Sequence, residues 1–151
     1  MKWIEKEFEQ LTVHELYAIL KERVDVFVVE QNCAYPEIDN YDQVATHMFL
    51  IDEGEIKAYC RLLPSGSKYE EASIGRVLVK EKYRGKGYAI QLMERAVNIM
   101  MKEWNEKTIK LQAQAHLSNF YAQFGFEVKS DEYMDDGIPH VDMISSQDYL
   151  G

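Results

Sequence analysis

A glycine loop between two apolar runs constrains the fold of this chain more than any other stretch. The loop, Tyr83-Arg84-Gly85-Lys86-Gly87-Tyr88-Ala89, follows the apolar run 74–79 and precedes an amphipathic run over about 87–104. This order predicts a strand, a tight turn and a helix, because glycine lets the backbone turn with little side-chain obstruction. Successive N–H groups can then face one point at the start of the helix, where they have no intrahelical partner.

The predicted start of this helix is suited to a phosphate group. A helix N-terminus carries roughly half a positive charge together with free N–H donors, and Lys80, Lys82, Arg84 and Lys86 surround it. This local excess of cations stands out in a chain with a formal net charge of −9. The alternative is a well-capped connection on a solvated, charged turn, which a short glycine loop often is.

Composition predicts one domain and argues against several kinds of partner. With 151 residues, 46% of them hydrophobic, the chain can bury a substantial core, so we expect a single domain over residues 1–151. The negative net charge argues against nucleic acid as a partner. The apolar runs fall short of the roughly 20 residues that span a bilayer, and the N-terminus alternates charge too early for a signal peptide. We therefore expect a cytoplasmic protein with no membrane partner.

The two cysteines indicate neither a metal site nor a disulfide framework. Cys33 and Cys60 match no metal-ligand spacing and no disulfide-rich pattern, so both are interpreted as reduced thiols. A divalent-metal site built from His47, His140 and nearby carboxylates would lack a regular ligand spacing. We expect no bound metal.

The pattern along the chain predicts a mixed sheet. Thr12-Val13-His14-Glu15 has the form of a capping box ahead of a helix that reaches Phe27. An irregular, acidic and aromatic loop follows over 30–42. The strands are predicted at 3–9, 47–51, 56–63, 72–79, 109–115, 126–128 and 141–144, with further helices at 87–104 and 117–124, the last ended by Gly125. The strand, helix and strand of 74–115 imply one parallel crossover among antiparallel hairpins.

Several motifs together resemble the GCN5-related N-acetyltransferases (GNAT). Arg84-Gly85-Lys86-Gly87-Tyr88-Ala89 fits the R/Q-x-x-G-x-G/A motif of the family, and residues 120–126 look like its Y-x-x-x-G-F element. A longer set of segments resembles the ElaA-like branch: residues 23–31, then Tyr35, Asp39 and Asp42, then 74–77, 113–114 and 137–140. The match spans nearly the whole chain. It implies an α/β (α+β) fold with a mixed, mostly antiparallel twisted sheet of six to seven strands flanked by about four helices.

The resemblance also implies an activity and a coenzyme site. The expected enzyme is an N-acetyltransferase that moves an acetyl group directly from acetyl-CoA, as co-substrate, to a small-molecule or peptide amine. The resemblance is also compatible with a homodimer. Backbone groups of the strand before the loop would pair with the pantetheine arm, and the amides of 85–89 would cradle the pyrophosphate. Many members carry Asn where Gln114 stands, so contacts there are expected to differ. The implied coenzyme-binding residues are Val77, Leu78, Val79, Arg84, Gly85, Lys86, Gly87, Tyr88, Ala89, Gln114 and Asn119.

Tyr121 is implied as the general acid that protonates the departing thiolate. A free thiol has a pKa of about 8.5 and a phenol of about 10, so the proton transfer involves no large mismatch. The alternative is a core tyrosine packed between Phe120 and Phe124. An N–H of Val79 or Leu78 is the expected donor to the carbonyl oxygen as it becomes negative. No protein nucleophile is required, because positioning supplies much of the rate.

The base that deprotonates the amine is less sharply indicated. Glu30, at the end of the first helix, is the first candidate, directly or through water, and a surface glutamate without a catalytic role is the alternative. His47, His116 and His140 are the next candidates, because histidine can exchange a proton at neutral pH, although a lone histidine is more often structural. His116 lies at a strand end and His140 in the segment 137–140 of the resemblance, and both rank below Tyr121. The carboxylates of Glu30, Glu37, Asp39 and Asp42 either attract a cationic amine together or form a solvated loop.

Two other functions compete with acetyl transfer. The first is a non-catalytic module that binds or senses acyl-CoA through the same glycine loop. The second is a hydrolase that uses Cys33 as nucleophile with a histidine. The hydrolase is the weaker of the two, because the acidic residues around Cys33 disfavour its thiolate form.

Overall fold

Residues 1–147 are the part of the chain that the computed structural model describes, and they contain eight strands and three α-helices. The strands are β1 (Lys2–Glu7), β2 (Thr46–Asp52), β3 (Glu55–Leu63), β4 (Ala72–Val79), β5 (Thr108–Gln114), β6 (Glu127–Val128), β7 (Tyr133–Asp135) and β8 (Ile138–Ser146). The helices are α1 (Val13–Val24), α2 (Tyr88–Asn98) and α3 (Ser118–Ala122). Residues 148–151 of the expected domain lie outside this range. Among residues 1–147, no helix is long and apolar enough to cross a membrane.

The predicted counts of six to seven strands and about four helices are slightly wrong. The unpredicted strand is β7, whose three residues pair with β8 around the turn at Asp136 and Gly137. A segment this short shows no measurable alternation in the sequence. The two long predicted helices are real, but each ends in a π-helical segment, Asp25–Glu30 after α1 and Ile99–Glu103 after α2.

Local sequence signals account for the start of α1 and for the first hairpin. The Thr12 hydroxyl accepts from the Glu15 N–H at 3.0 Å, and the Glu15 carboxylate accepts from the Thr12 N–H at 2.9 Å. This reciprocal pair is the predicted capping box. Between β2 and β3, Glu53 (φ 51°) and Gly54 (φ 78°) are both left-handed. Such a turn matches the right-handed twist of the strands, so the predicted hairpin forms.

The sheet is mixed, as the sequence predicts. Its order is β1-β2-β3-β4-β5-β8-β6, with β7 added beside β8. The β4 and β5 strands run parallel, and the other recorded pairs are antiparallel. Helix α2 makes the crossover between β4 and β5, which places it over one face of the sheet.

Each face of the sheet carries its own apolar cluster. On one face, α2 buries its apolar stripe together with alternate residues of β5 and β8 and with the α3 side chains; the cluster includes Leu92, Met93, Ala96, Val97, Leu111, Ala113, Tyr121, Phe124, Val141 and Met143. On the other face, α1 packs through Ile19 on Phe49, Tyr59 and Leu78. Successive strand residues point to opposite faces. We call these two sides the α2 face and the α1 face.

The parallel strands β4 and β5 separate soon after they meet. They pair at Ala72 with Ile109 and at Ser73 with Lys110, and within the described residues their ladder ends there. Further along β4, a bulge sets Arg76 and Val77 opposite the single β3 residue Cys60. Bulges bend a strand and release backbone groups from the ladder. The result is an opening in the middle of the sheet.

Candidate active site

A cavity of about 600 Å³ lies in this opening. Residues 74–79 of β4 form one wall, and Leu111, Gln112 and Gln114 of β5 form the other. The glycine loop and the first residues of α2 close one end, and the turn between β7 and β8 borders the other. A volume of this size falls within the range of small-molecule and cofactor sites.

Most of the residues that the sequence predicts for the site line this cavity. The predicted catalytic residues Tyr121, Glu30 and His116 are all in its lining. So are the predicted coenzyme-binding residues Val77, Leu78, Val79, Arg84, Gly85, Gly87, Tyr88, Ala89 and Gln114. Lys86 and Asn119 are exposed and lie outside the lining. The roles assigned to all these residues stay predictions.

The backbone of Val79 faces the cavity, whereas that of Leu78 faces β3. The Lys80 N–H donates to the Lys57 carbonyl of β3 at 2.9 Å, and backbone groups of successive strand residues point to alternate sides. Leu78 therefore points its N–H towards β3, as Lys80 does, and Val79 points its N–H and carbonyl into the opening. The Val79 carbonyl accepts from Arg84 Nε at 2.9 Å. Of the two predicted oxyanion donors, the geometry favours Val79.

The glycine loop presents an uncapped helix start to the cavity. Gly85 and Gly87 are both left-handed, with φ of 81° and 83°. Gly87 stands at the N-cap of α2, and its carbonyl accepts from the Gln91 N–H at 3.2 Å. Because glycine has no side chain to accept from the first-turn N–H groups, these donors stay available to a ligand.

The loop is less positive than its sequence suggests, because three of its four cations have carboxylate partners. Lys80 Nζ lies 3.1 Å from a Glu22 oxygen, and Lys82 Nζ lies 3.3 Å from a Glu55 oxygen. Arg84 pairs with Glu30. An anionic ligand at the start of α2 would therefore rely on backbone N–H donors more than on a surplus of lysines.

Glu30 and Arg84 form a two-point ion pair across one end of the cavity. Arg84 Nη1 donates to Glu30 Oε2 at 2.8 Å, and Arg84 Nη2 donates to Glu30 Oε1 at 3.0 Å. The pair ties the π-helical end of α1 to the glycine loop. To act as a base, Glu30 would have to accept a proton on an oxygen that already accepts a hydrogen bond from Arg84.

Tyr121 combines a packed ring with a position in the cavity. The ring meets Phe120 edge to face at 5.2 Å between centroids and Phe126 at 6.5 Å, and only 8% of the residue is exposed. Burial raises the pKa of Tyr121, so the phenol stays protonated at neutral pH, and the gap between its pKa and that of a thiol is wider than the sequence argument assumes. The core interpretation and the catalytic interpretation are thus compatible: the ring packs in the α2-face cluster while the residue lines the cavity.

Residues from both faces of the sheet line the cavity. Tyr121 belongs to the α2 face, as do Ala113 and Val141. Gln112, Gln114 and His140 alternate with these buried residues along β5 and β8, so their side chains lie on the α1 face. There the Gln114 amide donates to the Gln31 side chain at 3.3 Å, and Cys33 Sγ lies 3.5 Å from the Asp136 carbonyl oxygen.

The sequence allowed two interpretations of the acidic loop, a site that attracts a cationic amine and a solvated loop, and both are wrong for Glu37, Asp39 and Asp42. These carboxylates are neither solvated nor free to attract a cation, because buried arginines bind them. Arg23 donates to Glu37 at 2.7 Å and to Asp42 at 2.6 Å. Arg61 donates to both Asp39 oxygens at 2.7 Å.

Arg76 completes this network from the bulge of β4. Its Nε donates to Glu37 Oε2 at 2.7 Å, and its Nη2 donates to Asp39 Oδ2 at 3.1 Å. Its backbone is left-handed, with φ of 52°, a conformation that costs an ordinary residue energy and persists only when its surroundings hold it. We refer to Arg23, Arg61, Arg76, Glu37, Asp39 and Asp42 as the arginine network. It fastens the loop 31–42 to the bulge that shapes the cavity.

The charges of the arginine network are stabilised by their partners. Burial disfavours the charged carboxylates, but hydrogen bonds and charge attraction from the arginines outweigh it, so the pKa of Asp39 and that of Asp42 are lowered. His47 lies beside them, fully buried, with its ring nitrogens 2.7 Å from the Tyr59 hydroxyl and 2.9 Å from the Asp42 carbonyl oxygen. Burial lowers the pKa of His47. His47 is therefore structural.

The sequence reasoning missed the three arginines as a set. Arg23 follows Ile19 by one helical turn on the buried side of α1, and Arg61 interrupts the apolar run of β3. A charge on a face that must be buried indicates a paired charge, and that signal was available. Arg76 carried no such signal, because its bulge depends on the pairing of β3 with β4.

The structure offers no support for the metal or hydrolase alternatives among residues 1–147. No group of three or more His, Cys, Asp or Glu side chains there is placed to hold a metal ion. Cys33 contacts a backbone carbonyl, and within the same residues no histidine is hydrogen-bonded to it. Cys60 is fully buried, and burial raises the pKa of its thiol.

We expect Gly87→Ala to lower the free energy of unfolding by about 1–2 kcal/mol, the cost of a left-handed backbone for a residue with a side chain. A methyl group at this position would meet no atom within 4 Å, so the effect would come from the backbone alone. Urea unfolding measures it. Gly75→Ala is the matched control, since Gly75 has equal space without a left-handed backbone. An equal loss in both variants would contradict the explanation.

Comparisons with known proteins agree with this geometry. The model of the acetyltransferase (GNAT) domain matches residues 14–146. The ElaA protein of Escherichia coli is 41% identical over 145 residues, which cover 95% of each chain. The crystal structure of Escherichia coli ElaA superimposes with a TM-score of 0.90 at 39% identity, covering 97% of this chain and 100% of that one. An acyl-CoA N-acyltransferase from Pseudomonas aeruginosa superimposes with a TM-score of 0.91 at 38% identity, with the same coverage. The chain therefore belongs to the GNAT superfamily of acetyltransferases and, within it, to the ElaA-like branch.

Proposed function

We propose that this protein is an N-acetyltransferase that transfers an acetyl group directly from acetyl-CoA to an amine. The opening between β4 and β5 carries the proposal. It connects an uncapped helix start, backbone groups outside the strand ladder and a protonated tyrosine in one cavity. These are the parts that a thioester of a phosphorylated carrier needs: a site for phosphate, a strand edge for an amide-containing arm and an acid for the departing sulfur.

The proposed donor site runs from the glycine loop to Tyr121. The first-turn N–H groups of α2 would donate hydrogen bonds to the pyrophosphate oxygens, as helix starts bind phosphate elsewhere. The Val79 N–H and carbonyl would pair with the amides of the pantetheine arm or with the carbonyl oxygen of the thioester. An N–H held at this position stabilises the negative charge that develops there without reorganising during the reaction.

The groups of the cavity account for every proton that moves in the proposed reaction. The amine arrives as an ammonium ion and gives one proton to a base, after which its lone pair forms a bond to the acetyl carbonyl carbon. When the carbonyl re-forms, the C–S bond breaks and Tyr121 donates its proton to the sulfur. The new amide nitrogen carries one excess proton, which returns to the Tyr121 oxygen. The products are the amide, the free thiol and one proton on the base.

The acceptor would enter from the α1 face. Gln112, Gln114, His140 and Asp136 border the cavity there, opposite the face that holds Tyr121. Glu30, His116 and His140 are among the bases that the sequence puts forward, and all three line the cavity. A small-molecule amine and a peptide amine are the two acceptor classes proposed.

Acetyl-CoA-dependent thiol release tests this function. The panel contains spermidine, ethanolamine, a lysine-containing peptide with a blocked N-terminus, a peptide with a free N-terminus, and hydroxylamine. We expect at least one amine to raise thiol release well above the rate with acetyl-CoA alone, and mass spectrometry should find the matching acetylated product. The strongest acceptor would identify the substrate class.

The alternative is a module that binds acyl-CoA without transferring the acyl group. The same cavity and glycine loop would serve such a module. Calorimetric binding of acetyl-CoA together with no thiol release across the whole panel would favour it. Absence of binding would contradict both functions.

A further inference from the structure

His140 is a cavity histidine that the sequence ranks with His116, below Tyr121, among the candidates for proton transfer. It lies in β8, paired with Gln114 of β5, and it alternates with the buried Val141. Its ring is therefore on the α1 face, the side from which the acceptor would enter. It lines the cavity together with Gln112, Asp136 and Tyr35.

The surroundings of the His140 ring determine which nitrogen can accept a proton. Nδ1 lies 2.7 Å from the Ile138 carbonyl oxygen, and a carbonyl oxygen only accepts. Nδ1 therefore carries the hydrogen of the neutral ring, and Nε2 has the free lone pair. Within residues 1–147, no hydrogen-bond partner is found for Nε2. The Tyr133 ring stacks on the imidazole at 6.3 Å between centroids and 26° between planes, which holds its orientation.

The rival bases are less well prepared for this role. Glu30 is held by two hydrogen bonds from Arg84. His116 is exposed in the short turn Ala115–Leu117. The Tyr35 hydroxyl donates to Glu37. Of these cavity groups, His140 combines a held ring with a free lone pair.

We propose that His140, through Nε2, is the base that takes the proton from the ammonium group of the acceptor. This inference rests on the proposed acetyl transfer. In the proposed reaction, the proton that the ammonium group loses before the attack moves to Nε2. The Nδ1–H of the resulting imidazolium still donates to the Ile138 carbonyl oxygen. The imidazolium returns the proton to solvent after the products leave. Asp135 and Asp136, which also line the cavity, favour both the arriving ammonium ion and the imidazolium.

The test compares His140→Gln with the unmodified protein in the thiol-release assay at pH 7. For panel acceptors that are ammonium ions at this pH, we expect kcat/KM to fall about 100-fold, the lower end of the usual contribution of a general base. For hydroxylamine, which is largely neutral there and needs no proton removed before attack, we expect a much smaller fall. Acetyl-CoA affinity, measured by calorimetry, should be unchanged. Added imidazole should restore part of the activity of His140→Ala.

Controls separate the role of His140 from structural effects. His14→Gln, at an exposed histidine of α1, should leave every rate unchanged. Equal losses for hydroxylamine and for ammonium acceptors would overturn the inference, as would full activity of His140→Gln. It would also be overturned if the loss specific to ammonium acceptors appeared in His116→Gln and not in His140→Gln. Any of these results leaves acetyl transfer itself intact. No thiol release by the unmodified protein would instead overturn the proposed function and this inference with it.

Discussion

Tyr121→Phe is expected to lower kcat for acetyl-CoA-dependent thiol release by about 100-fold, within the usual range for a lost general acid. The substitution removes only the hydroxyl. The ring contacts with Phe120 and Phe126 stay, so the affinity for acetyl-CoA and the free energy of unfolding should change little. The fall should appear in kcat rather than in coenzyme binding, because the hydroxyl acts on the sulfur only as the C–S bond breaks.

The control for this prediction is Tyr17→Phe, at a tyrosine of α1 that is 75% exposed. It should leave thiol release unchanged. Measurements of single-turnover rates and of acetyl-CoA binding by calorimetry separate the two effects. If Tyr121→Phe kept the full single-turnover rate, Tyr121 would be a packing residue and water would have to supply the proton. If it lost coenzyme affinity in proportion to its rate, its role would be binding.

The second large effect is expected from Arg23→Met. Methionine fills part of the arginine volume but leaves two arginines for the three carboxylates of the arginine network. Glu37 and Asp42, both buried, then keep only Arg76 and Arg61 respectively as partners, so one negative charge is uncompensated. Breaking one side of a buried ion pair typically costs about 3–5 kcal/mol, because an uncompensated charge remains in the interior. We expect the free energy of unfolding to fall by that amount in urea or thermal unfolding.

Arg84→Met provides the matched comparison for Arg23→Met. It also removes an arginine from a carboxylate, but the Arg84 side chain is 41% exposed, and water can solvate Glu30 in its place. Exposed pairs contribute about 0–1 kcal/mol, so the loss should be correspondingly small. Similar losses in the two variants would show that burial does not decide the energy of the arginine network.

The parts of the fold that were predictable are those that depend on neighbours in sequence. The Thr12 capping box, the Glu53-Gly54 turn and the positive φ of Gly87 each follow from a few adjacent residues. The alternation of β5 and the stripe of α2 follow from periodicity. Strand β7 escaped prediction because three residues carry too little pattern, and β8 begins at Ile138 rather than Val141 because pairing with β7 extends it.

Family motifs carried the prediction of the site further than local patterns did. They pointed to nine coenzyme-binding positions and to Tyr121, all lining one cavity, although these come from segments far apart in the chain. Glu30 and His116, which line the same cavity, were put forward from their places at the ends of predicted elements. The motifs also pointed to Lys86 and Asn119, which lie outside the lining. Motif positions report the path of the backbone reliably, but the direction of a long exposed side chain depends on its immediate neighbours.

What the sequence alone determined was the element order, the parallel crossover and the glycine helix start at Gly87, since each is a local or periodic property. Only the tertiary structure decided three further features: the separation of β4 from β5, the bulge at Arg76 and the pairing of the acidic loop with Arg23 and Arg61. These depend on contacts between segments that sequence spacing does not relate. The same contacts bring His140, which the sequence could name only as one of several candidate histidines, to the α1 face of the opening.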